Sequence, residues 1–188
     1  MFLMNIIPVA IGAVVALVFV ILIWVISTRN KFIRMEQDIE SSESRIDVYL
    51  TKRYDLLTKM LDSTKGYTKH EKETLITVTS MRNPKTASSL GEKCAINNEM
   101  DQVHKSINVA LEAYPELKAD KMFAKLQNAI TEVEEDLQAA RSNYNSNVSA
   151  FNKAILVFPG SLIAGSKFTK KEYFEAEEAK REDVKLEF

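Results

Sequence analysis

The stretch Leu126–Phe158, LQNAITEVEEDLQAARSNYNSNVSAFNKAILVF, decides the fold. Its apolar or large residues fall at Leu126, Ile130, Val133, Leu137, Ala140, Tyr144, Val148, Phe151, Ile155 and Phe158, with one extra step at Val148. Steps of four and three are the seam spacing of helices packed side by side. Phe158-Pro159-Gly160 then supplies a strong stop. A seam this narrow is unstable alone in water and has to be buried against other helices.

Working outward, the same rhythm recurs earlier in the chain. Ile96, Met100, Val103, Ile107, Ala110 and Tyr114 share one face of a second helix. It stops at Tyr114-Pro115, because the residue before a proline is pushed out of the α region. Pro115 then suits the opening turn of the next helix. Between Asn30 and Arg82 the seam reads Ile46, Leu50, Leu57, Met60, Tyr67, Leu75 and Val78, with Arg53, Thr64 and Glu71 in the gaps. As one element, bending at most at Gly66, it would be about 80 Å long. Asn83–Gly91, NPKTASSLG, is a loop rich in Pro, Gly and small polar residues. Lys170 to about Lys185 is charged and helix-prone, and no run alternates with period two. The expected fold is all-α: an antiparallel bundle of three long helices with a short C-terminal helix.

Ahead of the bundle, Ile6–Ile26 reads IIPVAIGAVVALVFVILIWVI, 21 residues without a charge. A bilayer core takes about 20 apolar residues in helical form. The segment has no polar face, Pro8 lies near its start, and Trp24 lies where an indole can rest among headgroups. No cationic side chain precedes it and WVISTRN is a poor cleavage site, so an uncleaved anchor is expected rather than a secretory signal. Arg29, Lys31 and Arg34 follow it closely, which predicts an outside N-terminus and a cytoplasmic bundle. The expected organisation is a tail and transmembrane anchor over 1–29 and a bundle domain over 30–188. Within the anchor, Gly12 and Ala16 have the small-xxx-small spacing of close helix pairs, a weak signal.

Composition narrows the function. Lys+Arg is 25 and Asp+Glu is 26, a balance that argues against nucleic acid as the main partner. Five Gly and four Pro in 188 residues suit long unbroken helices. The single cysteine, Cys94, cannot form an intrachain disulfide and reads as a small apolar side chain.

Catalytic patterns are scarce. His70-Glu71-Lys72-Glu73-Thr74 begins like a zinc-protease helix but has threonine where the second histidine belongs. No phosphate-cradling glycine loop and no nucleophile elbow occurs. Glu132, Glu134, Glu135 and Asp136 lack the E-x-x-H partner of a di-metal site and read as a charged outer face. No enzyme activity, cofactor or metal is therefore expected; a metal site from His70 and His104 is the weak competing idea. Two stretches exceed core packing. Asp47–His70 is crowded with tyrosines and charges, and Tyr49, Arg53, Tyr54 and Tyr67 are candidates for a partner-binding face. The apolar loop Phe158–Phe168 reads first as a cap on the bundle's open end, and second as a contact surface.

The chain resembles the LemA family. The resemblance is carried by Arg45-Ile46-Asp47-Val48, Lys52-Arg53-Tyr54-Asp55-Leu56, Lys65-Gly66-Tyr67, His70 to Leu75 and Ala113 to Ala119. It is strongest in Ala140-Arg141, Tyr144-Asn145, Phe158-Pro159, Leu162-Ile163-Ala164 and Tyr173 to Glu178. Two departures stand out. Leu57-Thr58-Lys59 lacks the proline the family usually has there, which lets the first helix run straighter. Lys167 replaces a usual glycine before Phe168. The resemblance implies a membrane-anchored bacterial helical bundle without an established enzymatic activity, associated with membrane proteases and envelope stress. It points to a scaffold or adaptor for envelope proteins and brings no catalytic residue with it. A self-assembling structural membrane protein is the alternative.

Overall fold

The computed structural model describes residues 2–64 and 83–174. Gly66, Tyr67, the His70–Thr74 segment, Leu75, Val78 and the expected helix beyond residue 174 lie outside the described residues. The described chain is all-α, without a strand. Its helices are α1 (Phe2–Thr64), α2 (Leu90–Ala113), α3 (Pro115–Lys118), α4 (Lys121–Leu156) and α5 (Gly160–Ala164). A 3-10 turn covers Pro84–Thr86.

Local chemistry sets these boundaries. Ser89 caps α2: its hydroxyl accepts from the Glu92 amide, and the Glu92 carboxylate reaches back to Ser88. That reciprocal pair satisfies amides that a helix start leaves open. Tyr114 closes α2 ahead of Pro115, as expected. The helix opened by Pro115 lasts only to Lys118, and α4 restarts where the Asp120 carboxylate accepts from the amides of Met122 and Phe123. This cap was open to inspection in the sequence, because Asp is a preferred N-cap residue.

The chain forms two compact units. One comprises Ser41–Asn145 with Glu172–Phe188, and within it α1, α2 and α4 supply a continuous core. Ile46, Leu50, Leu57 and Met60 of α1 are buried with Ile96, Met100, Val103 and Ile107 of α2 and Ile130, Val133 and Leu137 of α4. Among the described residues the four-three seams of this unit therefore bury as predicted, except that Tyr114 and Leu126 are only half-buried. Lys93 of α2 pairs with Glu43 and Asp47, while Asn97 and Asp101 lie against Arg53. Rising numbers on both helices make α1 and α2 parallel. Against α1, Ser42 meets Asn143 and Arg53 meets Glu134, so α4 runs antiparallel to both. Of the helix expected as one element over 30–82, the part up to Thr64 belongs to α1 and the rest lies outside the described residues; α2 starts beside Glu43.

The other unit comprises Met1–Glu40 with Ser146–Lys171. Phe32 is its central side chain, edge-on to Phe168 at 5.2 Å between centroids, and Phe151 meets the other side of Phe168 at 6.4 Å. Val148, Ile155 and Ala164 are buried with them. Phe158, expected on the buried seam, is 75% exposed instead, because α4 ends at Leu156 and the chain turns through a cis Phe158–Pro159 bond. Residues 169–171 are not helical: the Asn152 side chain donates to the Lys171 carbonyl at 3.0 Å and accepts from the Lys171 amide at 2.9 Å. In the first unit, residues 172–174 are likewise non-helical, where Asn145 makes the same pair of bonds to Phe174. The helix expected from Lys170 therefore does not begin before residue 175.

Candidate functional site

A cluster of interacting polar side chains is internal to the Ser41–Asn145 unit. Arg53 takes the position in α1 between Leu50 and Leu57, which turns it into the seam. Its side chain is 3% exposed. Nη1 donates to Asn97 at 3.0 Å; Nη2 donates to Asp101 and to Glu134, each at 2.7 Å. A guanidinium suits this task because its planar fork holds several acceptors at fixed directions. The second oxygen-sharing partner is His104, whose Nδ1 lies 2.8 Å from the same Glu134 Oε1. Glu134 was expected on an outer face; it instead joins α4 to both neighbours. Burial alone would raise its pKa, but the hydrogen bonds from His104 and Arg53 outweigh this and hold the carboxyl below its usual value.

Arg53, Asp101, His104 and Glu134, with Lys105, Gln138 and Arg141, line an open cleft of about 530 Å³. Arg141 reaches Asn97 at 3.4 Å and stacks over the Phe174 ring, 5.4 Å from its centroid. Burial, then the Arg53 charge, pushes Arg141 below the ordinary arginine value. Among the described residues the Nε atoms of Arg53 and Arg141 have no hydrogen-bond partner. At the Lys93 position, burial opposes the charge, yet the bonds to Asp47 at 2.7 Å and Glu43 at 2.9 Å prevail and raise its pKa.

Chemically the cleft binds itself. Both carboxylates that could act on a substrate already accept from Arg53, and Glu134 is also taken up by His104. The arrangement fixes the register of three helices. Among the described residues no group of three or more His, Cys, Asp or Glu is placed to hold a metal ion. His104 lies in this cleft, whereas His70 lies outside the described residues.

Of the expected partner-binding face, Tyr49 and Tyr54 are half-buried on α1, and Tyr67 is outside the described residues. Arg53 does not share a surface with them: its position in the four-three series, rather than its charge, decides where it points. Sequence reasoning missed Asn97, Asp101 and Arg141 as its companions. Asn97 and Asp101 flank Met100 of the α2 seam, and Arg141 follows Ala140 of the α4 seam, which was the available signal.

Of the described helices, α1 has the length and apolar composition to cross a membrane; none of its apolar window is buried within the protein. Protein LemA of Metamycoplasma hominis is 28% identical over 162 residues, covering 85% of this chain and 74% of the relative. The model of the LemA family matches residues 42–188, the greater part of the chain. The chain belongs to the LemA family.

Proposed function

We propose that this protein is a membrane-anchored, non-enzymatic scaffold or adaptor that binds other envelope proteins. The observation that carries the reading is the contrast within α1. From Ala10 to Trp24 every side chain is exposed, whereas Ile46, Leu50, Leu57 and Met60 are buried in a bundle whose Arg53 pairs with Asp101 and Glu134. A wholly exposed apolar stretch needs lipid around it. A bundle that satisfies its own carboxylates and guanidiniums offers surface rather than chemistry. The cationic side chains at the anchor's end, Arg29, Lys31 and Arg34, are all exposed and favour a cytoplasmic bundle.

The test is affinity purification of the full chain after mild detergent extraction. A reproducible set of membrane proteins, reduced by Tyr49→Ala, Tyr54→Ala or Tyr67→Ala, supports a partner face on these tyrosines. Recovery of an unchanged set from all three variants removes that face, and an empty set removes the adaptor.

A further inference from the structure

Within the unit formed by Met1–Glu40 and Ser146–Lys171, one apolar surface is unaccounted for. Leu156, Val157, Phe158 and Leu162 stand at the turn between α4 and α5 and are 56–75% exposed. Their neighbours Phe168 and Ala164 are buried, so part of this loop caps Phe32 as expected, while the tip points away from it.

The position of the tip along α1 is fixed by Gly160. A Cβ there would meet the Ala154 carbonyl oxygen and lie 3.2 Å from Cζ of Phe32. A helical side chain covers the turn before its own Cα, so the Phe32 ring tip lies level with about Thr28. That is about 3 Å along the axis from Ile26, the last residue of the uncharged run. Exposure along α1 agrees: from Ala10 to Trp24 every side chain is exposed, and Val25 and Thr28 are the first to be partly covered. The tip therefore stands beside the end of the anchor.

Charge supplies an independent argument. Residues 146–171 contain Lys153, Lys167, Lys170 and Lys171 and no acidic residue, in a chain that is otherwise balanced. Lys171 is paired with Glu36 at 2.8 Å, and the exposed Lys153, Lys167 and Lys170 give the stretch that carries the apolar tip a cationic surface, a composition that favours the headgroup layer of an anionic membrane.

We infer that the α4–α5 tip, led by Phe158 and Leu162, inserts into the lipid headgroup and upper acyl region beside the anchor, as a second membrane contact of the same chain. The inference rests on the anchor reading, and Trp24, the single tryptophan, reports on that reading separately. The experiment uses full-length protein with Cys94→Ser and either Phe158→Cys or Leu162→Cys, labelled with a polarity-sensitive fluorophore. It is reconstituted into phosphatidylcholine vesicles containing phosphatidylglycerol, with nitroxide lipids as quenchers. Gln37→Cys, exposed on α1 and about 16 Å past Ile26, serves as the water-facing control.

The expected result is quenching of Trp24 together with at least about twofold quenching of both tip labels by the shallow nitroxide, and none at Gln37. Leu162→Asp should release the Phe158→Cys label without loss of helical circular dichroism, and omitting phosphatidylglycerol should weaken tip quenching alone. Trp24 quenching with tip labels no more quenched than Gln37 overturns the insertion and leaves the anchor standing. Tip labels that shift to the blue but resist nitroxide are covered by protein, which also overturns it. An unquenched Trp24 overturns anchor and tip together.

Discussion

Arg53 and Glu134 lie 81 residues apart in the chain and meet at 2.7 Å. The contact joins α1 to α4, and through Asp101 and Asn97 the same guanidinium joins both to α2. Removing the guanidinium from such a buried set leaves its carboxylates without the cation that balanced them, which costs more than the pair itself contributes. Arg53→Ala should therefore lower unfolding stability by about 3 kcal/mol in urea titrations. A change below about 1 kcal/mol would show that water replaces the guanidinium at little cost.

Acid should weaken the same contact. The folded pKa of Glu134 lies below its unfolded value of 4.5, so its contribution is fully present above that value. It is lost as pH falls through the folded pKa. Urea midpoints measured from neutral pH downward should drop below about pH 4.5, and Glu134→Gln should flatten that acid limb while lowering stability at neutral pH.

Alkali has a different target. Burial, with help from Glu43 and Glu172, raises the Tyr144 phenol to about 12. Its hydroxyl donates to the Glu172 carbonyl at 3.0 Å. Because the folded value is the higher one, the contribution is intact below about pH 10 and is lost as pH rises toward 12. Ultraviolet titration should show one phenolate forming last, and Tyr144→Phe should remove that step.

The turn after α4 has no room for a side chain at Gly160, where an added Cβ meets the Ala154 carbonyl oxygen. Backbone cannot yield as a flexible side chain can. Gly160→Ala should cost about 1–3 kcal/mol in thermal or urea unfolding, and Gly160→Val at least as much. Unchanged stability in both would mean that the turn rearranges freely.

Asn152 holds Lys171 through two hydrogen bonds and is itself 7% exposed. Asn152→Ala should open this segment and speed tryptic cleavage after Lys170 and Lys171 several-fold, with loss of about 2 kcal/mol. Cleavage at the original rate would show that Phe168 and the Lys171–Glu36 ion pair retain the segment without Asn152.

The seams of α2 and α4 could be read residue by residue, because burial on a helix repeats with its turn. The interior of the site was half legible. Arg53 occupies a seam position, yet its charge invites a surface reading, and only the acids on two other helices reconcile the two. Glu134 misleads for the same reason, lying among Glu132, Glu135 and Asp136. The antiparallel course of α4 was expected, but the parallel course of α2 beside α1 was not legible, since it depends on contacts such as Lys93 with Asp47 that no local pattern announces. Nor was the non-helical segment at 169–174, where the amides of Asn145 and Asn152 override a helix-prone composition.

The reach of Arg53 to two helices at once has a mechanical consequence. Sliding α1 by one residue, about 1.5 Å, would stretch its bonds to Asp101 and Glu134 together, and rotating it by one residue would swing the guanidinium about 100° out of the seam. Neither bond can be traded for the other along the way. The three helices thus share a detent: they hold one alignment stiffly, and leave it only by giving up every polar contact of Arg53 in a single step.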